Sequence, residues 1–212
     1  MLRLVTLGVG AAASPRYAPA GLLVQRAGVR VMIDGGPGAV PDGALAAWLV
    51  TDEKSELMPR IRELARGKGL RPYAGAFHSK GLTIECRPVA HTSHPTFGYL
   101  IRAGRARAVW APEFLEFPAW AAGSALMFAE AAGWSRPIRF RGGVGGHLNA
   151  LAVADAARRH RVRRLIFTHI GRPTLRAIDR GESPGFGEFG ADGRRYLLRC
   201  NQRRQSRRSA GK

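Results

Sequence analysis

Residues 145–173 constrain the fold of this chain more than any other part of it. They read GGHLNALAVADAARRHRVRRLIFTHIGRP: a loop with His147, an alanine-rich helical segment, the apolar run 164–168 and a loop with His169. An apolar run this short is typical of a strand that is covered on both faces. A helix followed by a strand returns the chain close to its starting point, so we expect both histidines at one site. Ligand groups gather in such loops in layered α/β folds.

Short apolar runs punctuated by glycine and proline predict further strands upstream. The strands are expected at 2–10, 22–25, 29–33, 45–50, 82–89 and 126–128, with a helix at about 56–66 capped by Ser55 or Asp52. The segment after His169 is rich in glycine and proline, and its last piece suits an edge strand. Hairpin strands come first and strands alternate with helices later. Two mixed sheets with helices outside them satisfy this order.

The length of 212 residues suits one α/β domain with a sizeable core. We expect this domain at 1–198 and a basic, disordered tail at 199–212, which has six basic residues and no acid. The sequence has no run of 18 apolar residues and no recognisable signal peptide, which predicts a cytoplasmic protein without a membrane span. Its two cysteines stand in unrelated contexts, which argues against a disulfide framework and a cysteine-ligated zinc.

The net charge of +19 has two competing explanations. Arginine outnumbers lysine 30 to 4, which fits a genomic bias toward GC-rich codons and requires no function. Alternatively, the charge attracts a polyanion, because basic proteins bind nucleic acid by releasing counterions. Without the six charges of the tail the body still carries +13. The charge is therefore consistent with a phosphodiester or nucleic-acid substrate. Whether the protein forms a homodimer is left open by the sequence.

Several segments, taken in order, resemble the metallo-β-lactamase fold. They are LGVGAAASPRYAPAGLLV, VMIDGGPG, HTSHPTFGYLI, AVWAPEF, LMFAEA, GGHLNALAVADAA and RRLIFTHI, which together cover most of residues 1–175. Within this fold they are most similar to the branch of the tRNA 3′-processing endonuclease RNase Z and related phosphodiesterases. The resemblance implies an α/β protein, a four-layer αββα sandwich of two mixed β-sheets flanked by helices.

One element departs from the pattern of that family. Its His-x-His-x-Asp-His motif supplies most of a dinuclear metal site, but the corresponding stretch here begins at Asp52 and reads DEKSEL. Lys54 and Leu57 stand where histidines are expected, and Glu56 replaces the aspartate. A protonated lysine cannot ligate a metal, and leucine never can. The usual two-zinc site therefore cannot form in its usual way.

The resemblance nevertheless implies a set of metal ligands. His91 and His169 match ligand histidines, Glu113 stands near the bridging aspartate, and Asp52 and Glu56 add carboxylates. Asp34 would brace the site, while His94 has the alternative of holding its loop. Two histidines with carboxylates suffice for one Zn²⁺, Mn²⁺ or Fe²⁺ ion, so a mononuclear site is expected if a metal is bound.

The same resemblance pairs Glu130 with His147 as a proton-handling dyad. A carboxylate orients an imidazole and stabilises its charged form, so that the imidazole can protonate a leaving group. The alternative is a buried hydrogen bond that merely joins two loops. Arg136, Arg139 and Arg172 surround this region in the sequence and are candidates for gripping a phosphate.

Two functions follow from these patterns. The first is a divergent metal-dependent hydrolase, a phosphodiesterase or nuclease-like enzyme. The second is a non-catalytic member that binds RNA or another polyanion. The long arm with which RNase Z holds tRNA has no counterpart of sufficient length here, which favours a smaller phosphodiester. Hydrolysis of a lactone or thioester is a third, weaker option, because a fold does not determine its chemistry.

Overall fold

A computed structural model describes residues 1–200 of the chain. The strands are β1 (Leu2–Gly8), β2 (Gly21–Arg26), β3 (Val29–Asp34), β4 (Ala47–Leu49), β5 (Phe77–Ser79), β6 (Leu82–Val89), β7 (Thr96–Ala103), β8 (Ala106–Ala111), β9 (Leu126–Ala131), β10 (Ile138–Arg139), β11 (Gly146–His147), β12 (Leu165–Ile170), β13 (Glu188–Phe189) and β14 (Arg195–Leu198). The α-helices are α1 (Met58–Arg66), α2 (Ala150–Arg159) and α3 (Arg172–Asp179).

Two mixed sheets form the centre of the molecule. The first has five strands in the order β14-β1-β2-β3-β4, and the second has seven in the order β13-β12-β9-β8-β7-β6-β5. Strands β3 and β4 are parallel, as are β8, β9, β12 and β13, while the other pairs in these sheets are antiparallel. The predicted fold class is therefore confirmed, including the edge position of the last strand.

An apolar core lies between the sheets. Alternate residues of the first sheet point into it, among them Leu2, Leu4 and Ile33, and meet Trp110 and Phe128 of the second. The alternation follows from the two-residue period of a strand, which sends successive side chains to opposite faces.

The helices cover the outer faces of the two sheets. On the first sheet, Met58 and Ile61 of α1 pack against Met32 and Trp48. On the second, α2 and α3 pack on the face that carries Val109, Met127 and Phe167. These two outer layers complete the four-layer arrangement.

The structure corrects the predicted start of α1. Leu57 is the N-cap residue, and it makes no side-chain capping hydrogen bond. Ser55 and Asp52 are therefore not the cap, and Asp52 Oδ1 instead accepts a hydrogen bond at 2.7 Å from the Lys54 amide in the preceding turn. The buried residues Met58 and Ile61 hold the helix by packing, so it does not depend on a polar cap.

Helix α3 and the hairpin of β10 and β11 were not expected from the sequence. Helix α3 begins directly after Gly171, with Pro173 in its first turn, where proline is well tolerated. Strands β10 and β11 pair antiparallel and form a hairpin that brings Ile138 opposite His147. We call residues 138–147 the cavity hairpin, because it overhangs the site described below.

Most of the predicted basic tail, residues 201–212, lies outside the described part of the chain. Within residues 1–200, no helix has the length and apolar character needed to cross a membrane.

Candidate functional site

A cavity of about 630 Å³ opens where the carboxyl ends of several parallel strands meet. Asp34 ends β3, Glu113 follows β8, Ala132 follows β9 and His169 lies at the end of β12. Parallel strands place their carboxyl ends along one edge of a sheet, which is why residues far apart in sequence converge here. The predicted residues His91, Asp52, Glu56, His147 and Arg172 also line the cavity.

Asp34 joins the two sheets beneath the cavity. Its Oδ1 accepts hydrogen bonds from the Thr51 amide at 2.7 Å and the Thr51 hydroxyl at 3.0 Å, and its Oδ2 accepts one from Trp110 Nε1 at 2.7 Å. Burial raises the pKa of Asp34 to about 7, although the hydrogen bonds from Trp110 and Thr51 act in the opposite direction. These contacts suit the bracing role expected from the sequence.

Asp34 and His169 share an unusual backbone conformation. Their φ angles are 54° and 52°, in the left-handed region that non-glycine residues seldom adopt. At His169 the pairing between β12 and β9 also shifts register, between Phe167 and Ile170. The irregular backbone lets a residue at the end of a buried strand present its imidazole to the cavity.

Glu113 lies between two of the predicted ligand histidines. Its Oε2 is 2.9 Å from His91 Nε2, and its Oε1 is 3.1 Å from His169 Nδ1. Burial acts to raise the pKa of Glu113, but the charge of His169 and the hydrogen bond from His91 outweigh burial and lower it to about 2. Burial likewise acts to lower the pKa of His91, but Glu113 outweighs it and the net pKa is raised.

Glu130 and His147 form the second pair of the site. Glu130 is fully buried, and its Oε2 lies 2.8 Å from His147 Nδ1. The same oxygen accepts from the Phe114 amide at 3.1 Å, and Oε1 accepts from the Ala132 amide at 2.8 Å. Three contacts therefore hold the Glu130 carboxylate in place: two backbone amides and Nδ1 of His147. Because Nδ1 of His147 faces this carboxylate, Nε2 is the ring nitrogen that can exchange a proton with a substrate.

Three histidine rings lie side by side along the cavity. The centroids of His91 and His147 are 4.7 Å apart, and those of His147 and His169 are 5.3 Å apart with an interplanar angle of 19°. The Glu113 pair and the Glu130 pair are thus parts of one cluster, and the imidazole of His147 lies directly beside the ligand candidates.

The backbone of the cavity hairpin fixes His91. Nδ1 of His91 lies 2.9 Å from the Gly146 carbonyl oxygen, and the Gly146 amide donates to the His91 carbonyl at 2.8 Å. A Cβ on Gly145 would lie 1.9 Å from the His91 carbonyl oxygen. Only glycine permits this approach, and it leaves Nε2 of His91 facing Glu113.

Asp52 lies at the cavity wall but contacts a different histidine. Both of its carboxylate oxygens lie 3.0 Å from Nε2 of His94. Glu56 is exposed where it lines the cavity. The structure therefore brings His91, His169 and Glu113 into direct contact and leaves Asp52 and Glu56 at the margin of this group.

The predicted phosphate-binding arginines separate into two sets. Arg172 opens α3 and lines the cavity, whereas Arg136 and Arg139 are exposed and are not among its lining residues. Within residues 1–200, Arg172 makes no ion pair. It is therefore the arginine placed to meet an anion in the cavity.

The donor set around Glu113 suits a divalent ion. Where the family's motif has histidines, Leu57 lies in the cavity wall and Lys54 is exposed, so neither residue adds a ligand. Ligands that share an ion at about 2.1 Å lie roughly 3–3.5 Å apart, close to the spacing of Glu113 from its two histidines. Two imidazoles and a carboxylate are a common ligand set for Zn²⁺ and Fe²⁺.

A different triad is the group within residues 1–200 whose ligand atoms satisfy a distance criterion for a metal site. Ligand atoms of Glu130, His147 and His169 all lie within 4.8 Å of one another. Both oxygens of Glu130 already accept hydrogen bonds from backbone amides, and one also contacts His147, so this carboxylate is less available than Glu113. We therefore favour Glu113 as the carboxylate ligand.

Sequence reasoning overlooked three features of the site. The pairing of His94 with Asp52 links residues 42 positions apart and has no local signal. Phe140 lies against both His91 and His147, each at a centroid distance of 5.4 Å, within a segment that reads as an irregular loop. The two hydrogen bonds between Gly146 and His91 have one sequence signal, the repeated glycines before His147.

Comparisons with known proteins agree with this architecture. Zn²⁺-bound PqqB from Methylobacterium extorquens superposes with a TM-score of 0.69 at 14% identity, over 92% of this chain and 100% of that one. A diphosphatase of the PhnP family gives 0.66 at 17%, over 94% and 98%. The short form of human tRNase Z gives 0.65 at 14%, over 93% and 99%. At these identities the likeness shows a shared fold.

No curated protein matches the sequence. A family model described as a beta-lactamase superfamily domain matches residues 41–170, which is more than half of the chain. This match includes His91, Glu113, Glu130, His147 and His169, and it agrees with the resemblance drawn from the sequence. The protein belongs to the beta-lactamase superfamily.

Proposed function

We propose that this protein is a metal-dependent hydrolase that cleaves a phosphodiester. The observation that carries the proposal is the position of Glu113, with one carboxylate oxygen against an imidazole of His91 and the other against His169. The solved structures with the same fold include one named as a diphosphatase, one named as a tRNase and a Zn²⁺-bound protein, and this supports phosphate chemistry with a metal.

His91, His169 and Glu113 would hold the ion. A divalent ion bound there supplies a Lewis acid for a phosphoryl oxygen. The charge of the cavity supports a cation at this place: its lining has the acids Asp34, Asp52, Glu56 and Glu113 and the single arginine Arg172, although the whole chain carries +19.

His147 handles the proton of the leaving group. Water adds to phosphorus, the ester bond to the leaving oxygen breaks, and the products are a phosphomonoester and an alcohol. The proton released by the water replaces the one that His147 gives to the leaving oxygen. Nε2 of His147 donates the proton that the leaving oxygen needs, while Glu130 stabilises the charged imidazole through Nδ1. Because Glu130 is buried and bonded by two backbone amides, the imidazole is held in a fixed orientation.

Arg172 binds the substrate anion. Arg172 is a lining residue of the cavity, and a guanidinium can donate two hydrogen bonds to one phosphoryl group. The positive end of helix α3 lies at the same place, since Arg172 is the first residue of that helix. Arg172 would therefore contribute to substrate binding rather than to proton transfer.

Turnover by protein depleted of metal tests this function. The stripped protein is assayed with bis-p-nitrophenyl phosphate after addition of Zn²⁺, Mn²⁺ or Fe²⁺. We expect hydrolysis with at least one ion and none in the stripped protein or in His169→Ala. The exposed His78→Ala variant is the matched control and should keep full activity.

The basic charge favours a second candidate, a member that binds RNA without cleaving it. Arg136 and Arg139 are exposed beside the cavity and would contact such a polyanion. This candidate predicts RNA binding that weakens steeply with salt. Absence of turnover with every metal, together with salt-dependent binding of tRNA or single-stranded RNA, would reject the hydrolase in favour of this reading.

A further inference from the structure

A group of arginines lies at the end of the second sheet opposite the cavity. The parallel strands β9 and β12 run toward the cavity and begin at Leu126 and Leu165. Each has six residues, so their first residues lie about 20 Å from the cavity end. The segments before these strands, the start of β8 and the end of α2 meet at this opposite end. We call its four arginines the opposite-end patch: Arg107, Arg159, Arg161 and Arg163.

Contacts of residues 123–125 hold the segments of the patch together. The Gly123 amide donates a hydrogen bond to the His160 carbonyl oxygen at 2.9 Å, at the end of α2. The Arg163 amide donates to the Ser124 carbonyl oxygen at 3.0 Å. On the other side, a Cβ added to Gly123 would lie 4.0 Å from Nη1 of Arg107. The arginines of β8 and of the segment after α2 therefore share one surface.

The four patch arginines make no ion pair within residues 1–200. Their neighbours in the sequence are already paired, since Arg158 lies 3.4 Å from Asp155 and Arg164 lies 2.6 Å from Glu188. Residues 105–107, 119–125 and 158–164 include no aspartate or glutamate. The patch therefore presents positive charge that is free to attract an anion.

Arg107 is partly withdrawn from water without a carboxylate partner. It is half-buried, and its Nε is buried without a hydrogen-bond partner. Its Nη2 donates a long hydrogen bond, of 3.5 Å, to the Trp120 carbonyl oxygen. Taking a charged group out of water is unfavourable unless it is paired. An anion at the outer nitrogens of this guanidinium would offset that cost.

Arg161 stands where the end of a helix usually has glycine. Its φ of 57° lies in the left-handed region, and its amide donates to the Arg158 carbonyl oxygen at 3.1 Å. The Val162 amide donates to the Ala157 carbonyl oxygen at 3.0 Å, which completes the hydrogen-bond pattern of a Schellman motif. Glycine adopts this conformation without strain, so an arginine here is less stable than a glycine would be. Strain at an exposed charged residue is an indication of function.

The side chains of the patch suit phosphates and do not suit bases or lipid tails. Guanidinium groups bind phosphate through two parallel hydrogen bonds. Bases of single strands stack on exposed aromatic rings. Among residues 1–200, the exposed large apolar side chains all lie outside the segments of the patch: Met1, Tyr73, Ile138, Val144 and Leu197. Nearby, Phe117 stacks on His160 at a centroid distance of 4.9 Å, so these rings face each other. A duplex, which hides its bases and exposes its phosphates, matches this surface.

We propose that the opposite-end patch docks double-stranded nucleic acid through its phosphate backbone. The proposal does not depend on the hydrolase, because the patch and the cavity lie at opposite ends of the same strands. A duplex held there would leave the cavity free. Phosphates of duplex DNA and duplex RNA share the chemistry that the arginines recognise.

Binding of short, blunt duplexes to the full chain tests the proposal. Fluorescence anisotropy is measured with labelled duplex DNA, duplex RNA and the corresponding single strands at several salt concentrations. We expect a duplex to bind more tightly than its single strands, with a Kd that rises steeply with salt. Either duplex supports the proposal, and the tighter one identifies the source of the phosphates. Equal or tighter binding of the single strands would overturn it.

A triple variant assigns the binding to the patch. Arg159→Gln, Arg161→Gln and Arg163→Gln together remove three exposed charges. The Kd for the duplex should rise by at least about tenfold at low salt, and the slope of log Kd against log salt should fall by about two to three, because each lost phosphate contact removes about 0.9.

The matched control removes the same charge elsewhere. Arg62→Gln, Arg66→Gln and Arg71→Gln change exposed arginines in and after α1. This variant should weaken duplex binding by less than about threefold, since only the general field of the protein changes. Equal losses in the two triple variants would overturn the patch as the docking surface.

Arg161→Gly separates binding from folding. Glycine suits the φ of 57°, so the urea midpoint of unfolding should rise. The Kd for the duplex should nevertheless increase by about threefold or more, because one phosphate contact is lost. Unchanged duplex binding by this variant would overturn the proposal.

Vesicles that contain phosphatidylserine provide the competing anionic surface. If vesicles bind to the wild type but not to the triple patch variant, and duplexes do not bind, the partner is a membrane surface and the proposal is wrong.

Hydrolysis of bis-p-nitrophenyl phosphate distinguishes this inference from the proposed function. Duplex binding that follows the patch, in a protein without hydrolysis, would support the inference and reject the hydrolase. Hydrolysis without duplex binding would do the reverse.

Discussion

Glu113 Oε2 lies 2.9 Å from Nε2 of His91, and this contact joins the end of one strand of the second sheet to a loop 22 residues earlier in the chain. The other oxygen of Glu113 contacts His169, so the carboxylate connects both ligand candidates. In a protein that lacks most of the family's histidine motif, we propose this three-residue group as the metal ligands.

Removing the imidazole of His147 should reduce turnover of bis-p-nitrophenyl phosphate by about 10²- to 10⁴-fold, the usual contribution of a positioned acid or base. The His147→Ala variant should retain its metal, because His91, Glu113 and His169 are unchanged. Steady-state kinetics and metal analysis of the same preparation check both parts. Unchanged kcat would remove His147 from the reaction, whereas loss of metal would make it a ligand.

Arg172→Ala should raise the KM for the same substrate by about tenfold or more, with a smaller effect on kcat, because a charged hydrogen bond to the bound anion is lost. Arg176→Ala provides the matched control. It removes an exposed arginine from the same helix, one turn further on and outside the cavity lining. Equal changes in the two variants would show that Arg172 acts through general charge and not through a contact.

Gly145→Ala should destabilise the protein and weaken activity together. An alanine Cβ at this position would lie 1.9 Å from the His91 carbonyl oxygen at a φ of 152°, so the hairpin must move away from His91. The cost should exceed about 2 kcal/mol in urea unfolding, since left-handed strain and a backbone clash add.

Gly143→Ala is the control for that substitution. Gly143 also has a positive φ, of 71°, but a Cβ there meets nothing within 4 Å. We expect a cost of about 1 kcal/mol and full activity, because only the conformational preference of glycine is lost. If Gly145→Ala and Gly143→Ala lose the same unfolding free energy and keep the same activity, the close approach of Gly145 to His91 contributes to neither.

The carboxyl group of Asp34 should make stability depend on pH. Its folded-state pKa of about 7 lies above the ordinary value of 3.8, so the folded protein binds more protons than the unfolded chain between these values. The free energy of unfolding therefore falls as pH rises from about 4 to about 7, by an amount on the order of a few kcal/mol.

Asp34→Asn should lack this decrease, even though its stability at low pH is lower because hydrogen bonds to Thr51 or Trp110 are lost. The difference in unfolding free energy between wild type and Asp34→Asn, measured by urea at several pH values, isolates the contribution of this group. A constant difference from pH 4 to pH 8 would contradict the raised pKa.

The sequence predicted those features of the fold that local patterns encode. The strand Leu82–Val89 and the β2–β3 hairpin follow directly from apolar runs and turn residues. Helix α3 was missed because proline usually interrupts helices, whereas Pro173 stands in the first turn, where it does no harm. The two-residue strands of the cavity hairpin are too short for any periodic pattern.

In the candidate site as well, local motifs predicted residues but not the contacts between them. Individual candidates, such as His169 at the end of a buried strand and the pair Glu130–His147, could be named from motifs. Their direct contacts could not be predicted, because the distance of Glu113 from His169 depends on how strands β8 and β12 are arranged in the sheet. Likewise, no local pattern indicates that Asp52 would contact His94 instead of joining the other ligand candidates.

Metal titration of the stripped protein tests the central claim most directly. Calorimetric titration with Zn²⁺ and Mn²⁺ of wild type, Glu113→Gln and His169→Ala should give one ion per wild-type chain, with binding lost or weakened by at least about tenfold in both variants. The His78→Ala control should bind like wild type. Wild-type protein that binds neither ion, or variants that bind as tightly as wild type, would contradict a mononuclear site at His91, Glu113 and His169.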